Sequence, residues 1–128
     1  MKNSIVFLCL MITLFFSCDP VFYIDYYILN STDGNIKIIY EFNLGRNEFD
    51  TAIIESKKKL FLVNHSAIGS TSRNYLASLD SIYLFKSLQI FNSKGSKYIK
   101  DPFSIKSWHR MSKGDVGTVE LGVRTEDF

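Results

Sequence analysis

An all-β sandwich is the fold class this sequence predicts, and three observations carry it. Several short runs rich in β-branched and aromatic residues are separated by polar turns. Two of these runs alternate apolar and polar residues with the period of two that a half-buried strand requires. No long segment places apolar residues at the spacing of an amphipathic helix, so the strands must cover one another, as a sandwich or as a small barrel.

The elements follow in order. Residues 21–29 are dense in Val, Ile, Phe and Tyr and read as a strand. Residues 30–35 carry Asp33-Gly34, a turn signal, which predicts a hairpin to the next strand. In that partner Ile36, Ile38, Tyr40 and Phe42 alternate with Lys37, Ile39 and Glu41, giving one buried face. Residues 51–55, 60–63, 82–92 and 118–124 repeat the theme; in the last, Val119, Leu121 and Val123 face one way while Thr118, Glu120 and Arg124 face the other. Gly114-Asp115-Val116-Gly117 reads as the turn before it. Only residues 73–83 compete, since Leu76, Leu79, Ile82 and Tyr83 fall at helical spacing and predict a short helix or a turn-rich crossover.

Ahead of the strands, Lys2 provides a positive flank and residues 5–16 are apolar but for Thr13, the layout of a secretory signal peptide. As a helix these twelve residues reach only about 18 Å, short of the ~30 Å hydrocarbon core that a permanent span crosses. Ordinary cleavage prefers small residues at the first and third positions before the cut, and Phe15 occupies the third. Leu14-Phe15-Phe16-Ser17-Cys18 instead resembles a bacterial lipobox, with Ser17-Cys18 as its strict match and Phe at the two positions before. That resemblance implies a cleaved signal helix over residues 1–17 and at least two palmitate-type acyl chains on Cys18, enough to hold a protein on a bilayer. An unmodified cysteine behind a plain signal peptide is the alternative.

The mature chain is then residues 18–128, 111 residues with net charge +1 instead of +2, and forms one domain. Such a balance lacks the concentrated basic face that nucleic acid demands. Cys9 leaves with the signal and Cys18 carries lipid, so the domain folds without a disulfide.

Cys18-Asp19-Pro20, the strand end Ile28-Leu29-Asn30-Ser31, Ile36-Lys37-Ile38, the late Trp108 and the closing Val119-Glu120-Leu121-Gly122-Val123 together resemble the small uncharacterised lipoproteins common in Bacteroidetes. The likeness is of layout over most of the mature chain. It implies an immunoglobulin-like β-sandwich on a bacterial envelope membrane, the outer membrane being favoured, and implies no particular activity. If it holds, Asp50-Thr51-Ala52 and Asp80-Ser81-Ile82 resemble acceptors of the O-glycosylation system of those bacteria, at Thr51 and Ser81.

Catalytic signatures are sparse, and no catalytic residue, metal ligand or cofactor is expected. His65 and His109 have no second ligand at metal-site spacing. Ser66 adjoins His65, but strand neighbours point to opposite faces. No nucleophile elbow or phosphate loop occurs. For binding, Trp108-His109-Arg110 sets an aromatic ring beside a cation, suited to a sugar or an acidic partner, unless Trp108 is a core residue. Tyr23 and Tyr27 share a strand face that Asp25 marks as partly wet, an arrangement cross-strand packing explains equally. Lys57-Lys58-Lys59 is a solvated turn or a contact for anionic headgroups. The expectation is a membrane-anchored, non-catalytic binder of a glycan or another envelope protein; a small envelope hydrolase and a self-protection lipoprotein are the alternatives.

Overall fold

The computed structural model describes residues 20–43 and 48–128, so the expected signal segment and the lipidation candidate Cys18 lie outside the described residues. Within them are strands β1 (Val21–Asn30), β2 (Ile36–Phe42), β3 (Asp50–Ile54) and β4 (Lys59–Ile68), helix α1 (Ser72–Ser78), and strands β5 (Phe85–Asn92), β6 (Trp108–Lys113) and β7 (Val116–Val123). They form a four-stranded sheet, β4-β1-β7-β6, and a three-stranded sheet, β3-β2-β5. The two pack together as an all-β sandwich.

Alternation builds the core. On β1, Phe22, Ile24, Tyr26 and Ile28 are buried, and on β7 Val119, Leu121 and Val123 are. Ile36, Ile38, Ile54, Leu88 and Ile90 face them from the smaller sheet. Burying each such aliphatic or aromatic side chain contributes about 1.5–3 kcal/mol. The sheets meet through rings as well: Phe85 stacks on Trp108 with centroids 6.3 Å apart, and Tyr26 meets Trp108 edge-on at 6.4 Å.

The expected hairpin between the first two strands does not form. β1 pairs with β4 and β7, whereas β2 pairs with β3 and β5, so residues 31–35 carry the chain from one sheet to the other. The reason is Asn30, wholly buried at the corner. Its Nδ2 donates to the carbonyls of Gly34 at 2.8 Å, Ile54 at 2.9 Å and Glu55 at 3.0 Å. Its Oδ1 accepts from the Thr32 amide at 3.0 Å and hydroxyl at 2.7 Å. One side chain thus satisfies polar groups of the 31–35 crossover and of the end of β3 together, and ties the point where the chain leaves the first sheet to the second.

Other differences are local. β4 extends to Ile68, five residues beyond the expected end, and β6 was not anticipated. The helix stops at Ser78, so Leu79, Ile82 and Tyr83 lie beyond it; Thr71 caps its start, accepting from the Asn74 amide at 3.3 Å. The turn before β7 narrows to Gly114-Asp115, with Gly114 at φ +61°. Glu41, expected on the wet face, is buried beside a β-bulge and paired with Lys86 at 2.8 Å. Lys57-Lys58-Lys59 lies at the β3–β4 turn: Lys57, in the left-handed region at φ 59°, pairs with Asp33 at 2.9 Å, and Lys59 sits opposite Leu29 at the far end of β1.

Candidate functional site

The outer face of the four-stranded sheet leads, beyond Leu29 and Gly122, into an open cleft of about 690 Å³. Three separate stretches wall it. β1 and the crossover supply Leu29 and Ser31, β7 and its exit supply Glu120 and Arg124, and the segment from β5 to β6 supplies Tyr98, Lys100, Lys106 and His109.

Local chemistry shapes that last segment. Asn92 Oδ1 accepts from the amides of Lys94 at 3.0 Å and Ser96 at 2.8 Å, turning the chain at the end of β5, with Gly95 at φ +83°. Asp101 Oδ1 then accepts from the Phe103 amide at 2.9 Å, and the Ser107 hydroxyl donates to the Asp101 carbonyl at 2.8 Å. The Trp108 indole donates to the Pro102 carbonyl at 2.8 Å and pins the loop to the core.

Charge is asymmetric around the cleft. Lys100 closes on the buried Asp127, whose other oxygen accepts from the Arg124 amide at 2.8 Å. Glu120 is held by Lys59 at 2.7 Å, and Lys59 also lies over the Tyr27 ring, 4.4 Å from its centroid. His109 stands opposite Glu120 in the β6–β7 register. Both acids at the cleft are thus engaged by lysines, and Arg124 makes a long, exposed ion pair with Glu126 at 3.8 Å, so Lys106 and His109 are the exposed basic side chains most open to an incoming anion, with Arg124 beside them. Burial first, and the charge of Asp127 second, push the Tyr98 hydroxyl up to about 12, so it stays a neutral donor on the cleft floor.

The residues singled out from sequence fall in different places. Trp108 is core: it is 4% exposed, so Trp108-His109-Arg110 does not present an aromatic face beside a cation. Strand alternation sends His109 to the outer face and Arg110 back under α1, where its Nη1 donates to the Leu76 carbonyl at 2.8 Å. Tyr23 is exposed on the outer face. Tyr27 shares that face but packs edge-on against Phe61 at 5.5 Å and under Lys59. Thr51 is exposed on edge strand β3, whereas Ser81 is half-buried, bridges to Ser104 and donates to Asp80 at 3.2 Å. His65 faces inward and stacks on Tyr75 with centroids 5.6 Å apart, while Ser66 points outward opposite Tyr23. Cys18 lies outside the described residues.

Lys100, Lys106, Arg124 and Tyr98 escaped the sequence reading because they converge only through the fold. One signal was present: lysines at 94, 97, 100 and 106 crowd a single inter-strand segment. A second, apolar groove of about 470 Å³ lies on the three-stranded sheet, with Ile39, Ile53 and Phe91 among its walls. It offers few converging polar groups that could orient a ligand. No protein-family model, curated protein or solved structure matches this chain.

Proposed function

We propose that this chain is an envelope lipoprotein, exported by a signal peptide over residues 1–17, lipidated at Cys18, and acting by binding and not by catalysis. Its domain is immunoglobulin-like in architecture, four strands over three, with a strand order of its own that includes a parallel β1–β7 pair. The ligand is an acidic glycan of the envelope. The observation that carries this reading is the cleft in which Lys106, His109 and Arg124 converge, with Glu120 and Asp127 paired to lysines and Glu126 paired to Arg124 at the rim at 3.8 Å. Such a surface attracts sulfate, phosphate or uronate groups, and Tyr98 adds a hydroxyl donor. The exposed Thr51 hydroxyl is the better placed of the two O-glycosylation candidates, because Ser81 is partly enclosed.

The test is NMR titration of the chain from Cys18 onward with sulfated and with neutral oligosaccharides of matched length. Amide shifts at Lys106, His109, Glu120 and Arg124 that appear only with the acidic sugars, fade with salt and vanish in Lys106→Ala/Arg124→Ala are the expected result. Shifts confined to Ile39, Ile53 and Phe91 would move the binding site to the other sheet and overturn the assignment. The anchor is tested separately by the intact mass of the protein extracted from its native membranes, which should equal residues 18–128 plus two or three acyl chains.

A further inference from the structure

Most of the exposed apolar side chains on the outer face of the four-stranded sheet gather at one end of it. Val21, Tyr23, Ile68, Met111 and Val116 are 42%, 45%, 68%, 52% and 43% exposed. The register brings them together: Val21 lies opposite Ile68, Tyr23 beside Val116, and Met111 opposite Thr118 one step further along β7. Four strands at ~4.8 Å spacing make this a patch roughly 15 Å wide, with the long stem of Lys113 at its rim opposite Val116. Met111, Lys113, Val116 and Thr118 also line a shallow depression of about 770 Å³. The other half of the same face, toward the cleft, carries Lys59, Glu120 and His109, with Phe61, packed on Tyr27, as its exposed large apolar side chain.

The patch coincides with the start of β1. Three peptide steps separate Val21 from Cys18, and an extended chain covers only about 11 Å in that distance. The base of this tether is fixed, because the Gly69 amide donates to the Pro20 carbonyl at 3.0 Å and ties it to the end of β4 beside Ile68. A lipid on Cys18 therefore holds the bilayer within reach of these five side chains at all times, and even weak contacts are then engaged intramolecularly. Apolar side chains with an aromatic hydroxyl and a lysine at the margin match the acyl–headgroup boundary.

We infer that this half of the sheet is a membrane-resting surface: Val21, Tyr23, Ile68, Met111 and Val116 enter the interfacial zone of the bilayer, and the cleft, about 25 Å further along β1, is held above it. The inference rests on the anchoring of Cys18 proposed above. Met111 supplies an intrinsic probe, being the only methionine after residue 17. Every described strand lies after Cys18, so the chain from that residue onward carries the whole sandwich. It is coupled through the Cys18 thiol to maleimide-lipid vesicles of phosphatidylethanolamine with a minor share of phosphatidylglycerol. Conversion of Met111 to its sulfoxide by hydrogen peroxide is then followed by peptide mass. The vesicle-bound chain should react at least about fivefold more slowly than the free chain. Ile68→Glu/Val116→Glu, both at exposed positions, should abolish that difference while leaving the melting curve in place.

Equal rates for bound and free protein would overturn the inference. So would a slowing that appears only as protein density on the vesicle rises, since that would assign the patch to a second copy of the chain. Chemical coupling supplies the anchor whether or not the host lipidates Cys18. A native mass without acyl chains would therefore refute the lipoprotein reading and leave this result standing.

Discussion

Replacing Asn30 by Ala tests the corner on which the whole topology turns. The side chain is fully buried and serves the carbonyls of Gly34, Ile54 and Glu55 while accepting two bonds from Thr32. Two of these partners have others. The Glu55 carbonyl also accepts from the Lys58 amide, and the Gly34 carbonyl lies 2.7 Å from the Thr32 hydroxyl, whose single proton can turn to it once Asn30 Oδ1 is gone. The Thr32 amide and the Ile54 carbonyl thus bear most of the loss, and a buried group left without a partner costs about 1–3 kcal/mol. Asn30→Ala should therefore destabilise the domain by about 3–5 kcal/mol, a large share of the 5–15 kcal/mol that holds an ordinary domain together. The assay is urea denaturation followed by Trp108 fluorescence, with a lowered midpoint and an unchanged slope. Asn30→Asp is the sharper control: it keeps the acceptor for Thr32 but turns an oxygen toward three carbonyls, so it should be at least as damaging as Ala. An Asp variant clearly more stable than the Ala variant, or an Ala variant within about 1 kcal/mol of the parent, would refute the reasoning.

Other consequences are as direct. A Cβ at Gly117 would lie 2.5 Å from Ile24 Cδ1 and 3.0 Å from Leu76 Cδ1, so Gly117→Ala should cost about 1–3 kcal/mol. Ile24→Val removes the nearer atom, and a double mutant no less damaged than the sum of the singles would contradict that contact. Stability should fall in alkali. Tyr98 is pushed up to about 12, and burial followed by the neighbouring Tyr75 raises Tyr26 as well, so the folded state keeps protons that the unfolded chain releases near pH 10. Their contribution is complete below pH 10 and declines as pH rises toward 12, by up to about 1.4 kcal/mol per pH unit for each tyrosine. Denaturation midpoints of Tyr26→Phe and Tyr98→Phe across that range should show shallower slopes, and parallel curves would count against the effect.

How much of this was legible depended on whether the signal was local. Period-two alternation placed β2 and β7 within two residues at either end, because the faces of those strands differ in polarity along the chain itself. β6 was invisible for the converse reason: Trp-His-Arg-Met-Ser-Lys has one buried position, Trp108, and its outward residues look like a loop. The hairpin failed because Asp33-Gly34 is a turn signal that says nothing about which sheet receives the next strand. That choice was made by Asn30 and by carbonyls at residues 54 and 55. The reading of Trp108 was decided by its ring contacts with Tyr26 and Phe85, side chains that sequence alone could not bring to it. The cleft cations shared that difficulty, since Lys106 and Arg124 are neighbours only after both sheets have formed.

The topology also ties the cleft to global folding. β1 and β7 pair in parallel at the centre of the larger sheet, with Tyr23 beside Val116 and Leu29 beside Gly122, so the middle of the sheet joins opposite ends of the described chain. Contacts of such separation close late and favour all-or-none folding. The cleft walls belong to these same segments: Leu29 to β1, Glu120 to β7, and Arg124 just beyond it. A partly unfolded chain that has lost β7 therefore has no cleft, and a ligand that needs it binds only the complete fold. Mass action then stabilises the entire domain, by about 2.7 kcal/mol at a free concentration of one hundred times Kd. At roughly 4 °C per kcal/mol for a domain of this size, an acidic oligosaccharide at that concentration should raise Tm by about 11 °C. The rise should disappear in Lys106→Ala/Arg124→Ala, whose own Tm should stay close to the parent because both side chains are exposed. A sugar that shifts Tm equally in the parent and the double variant binds elsewhere, and the cleft would lose its assignment.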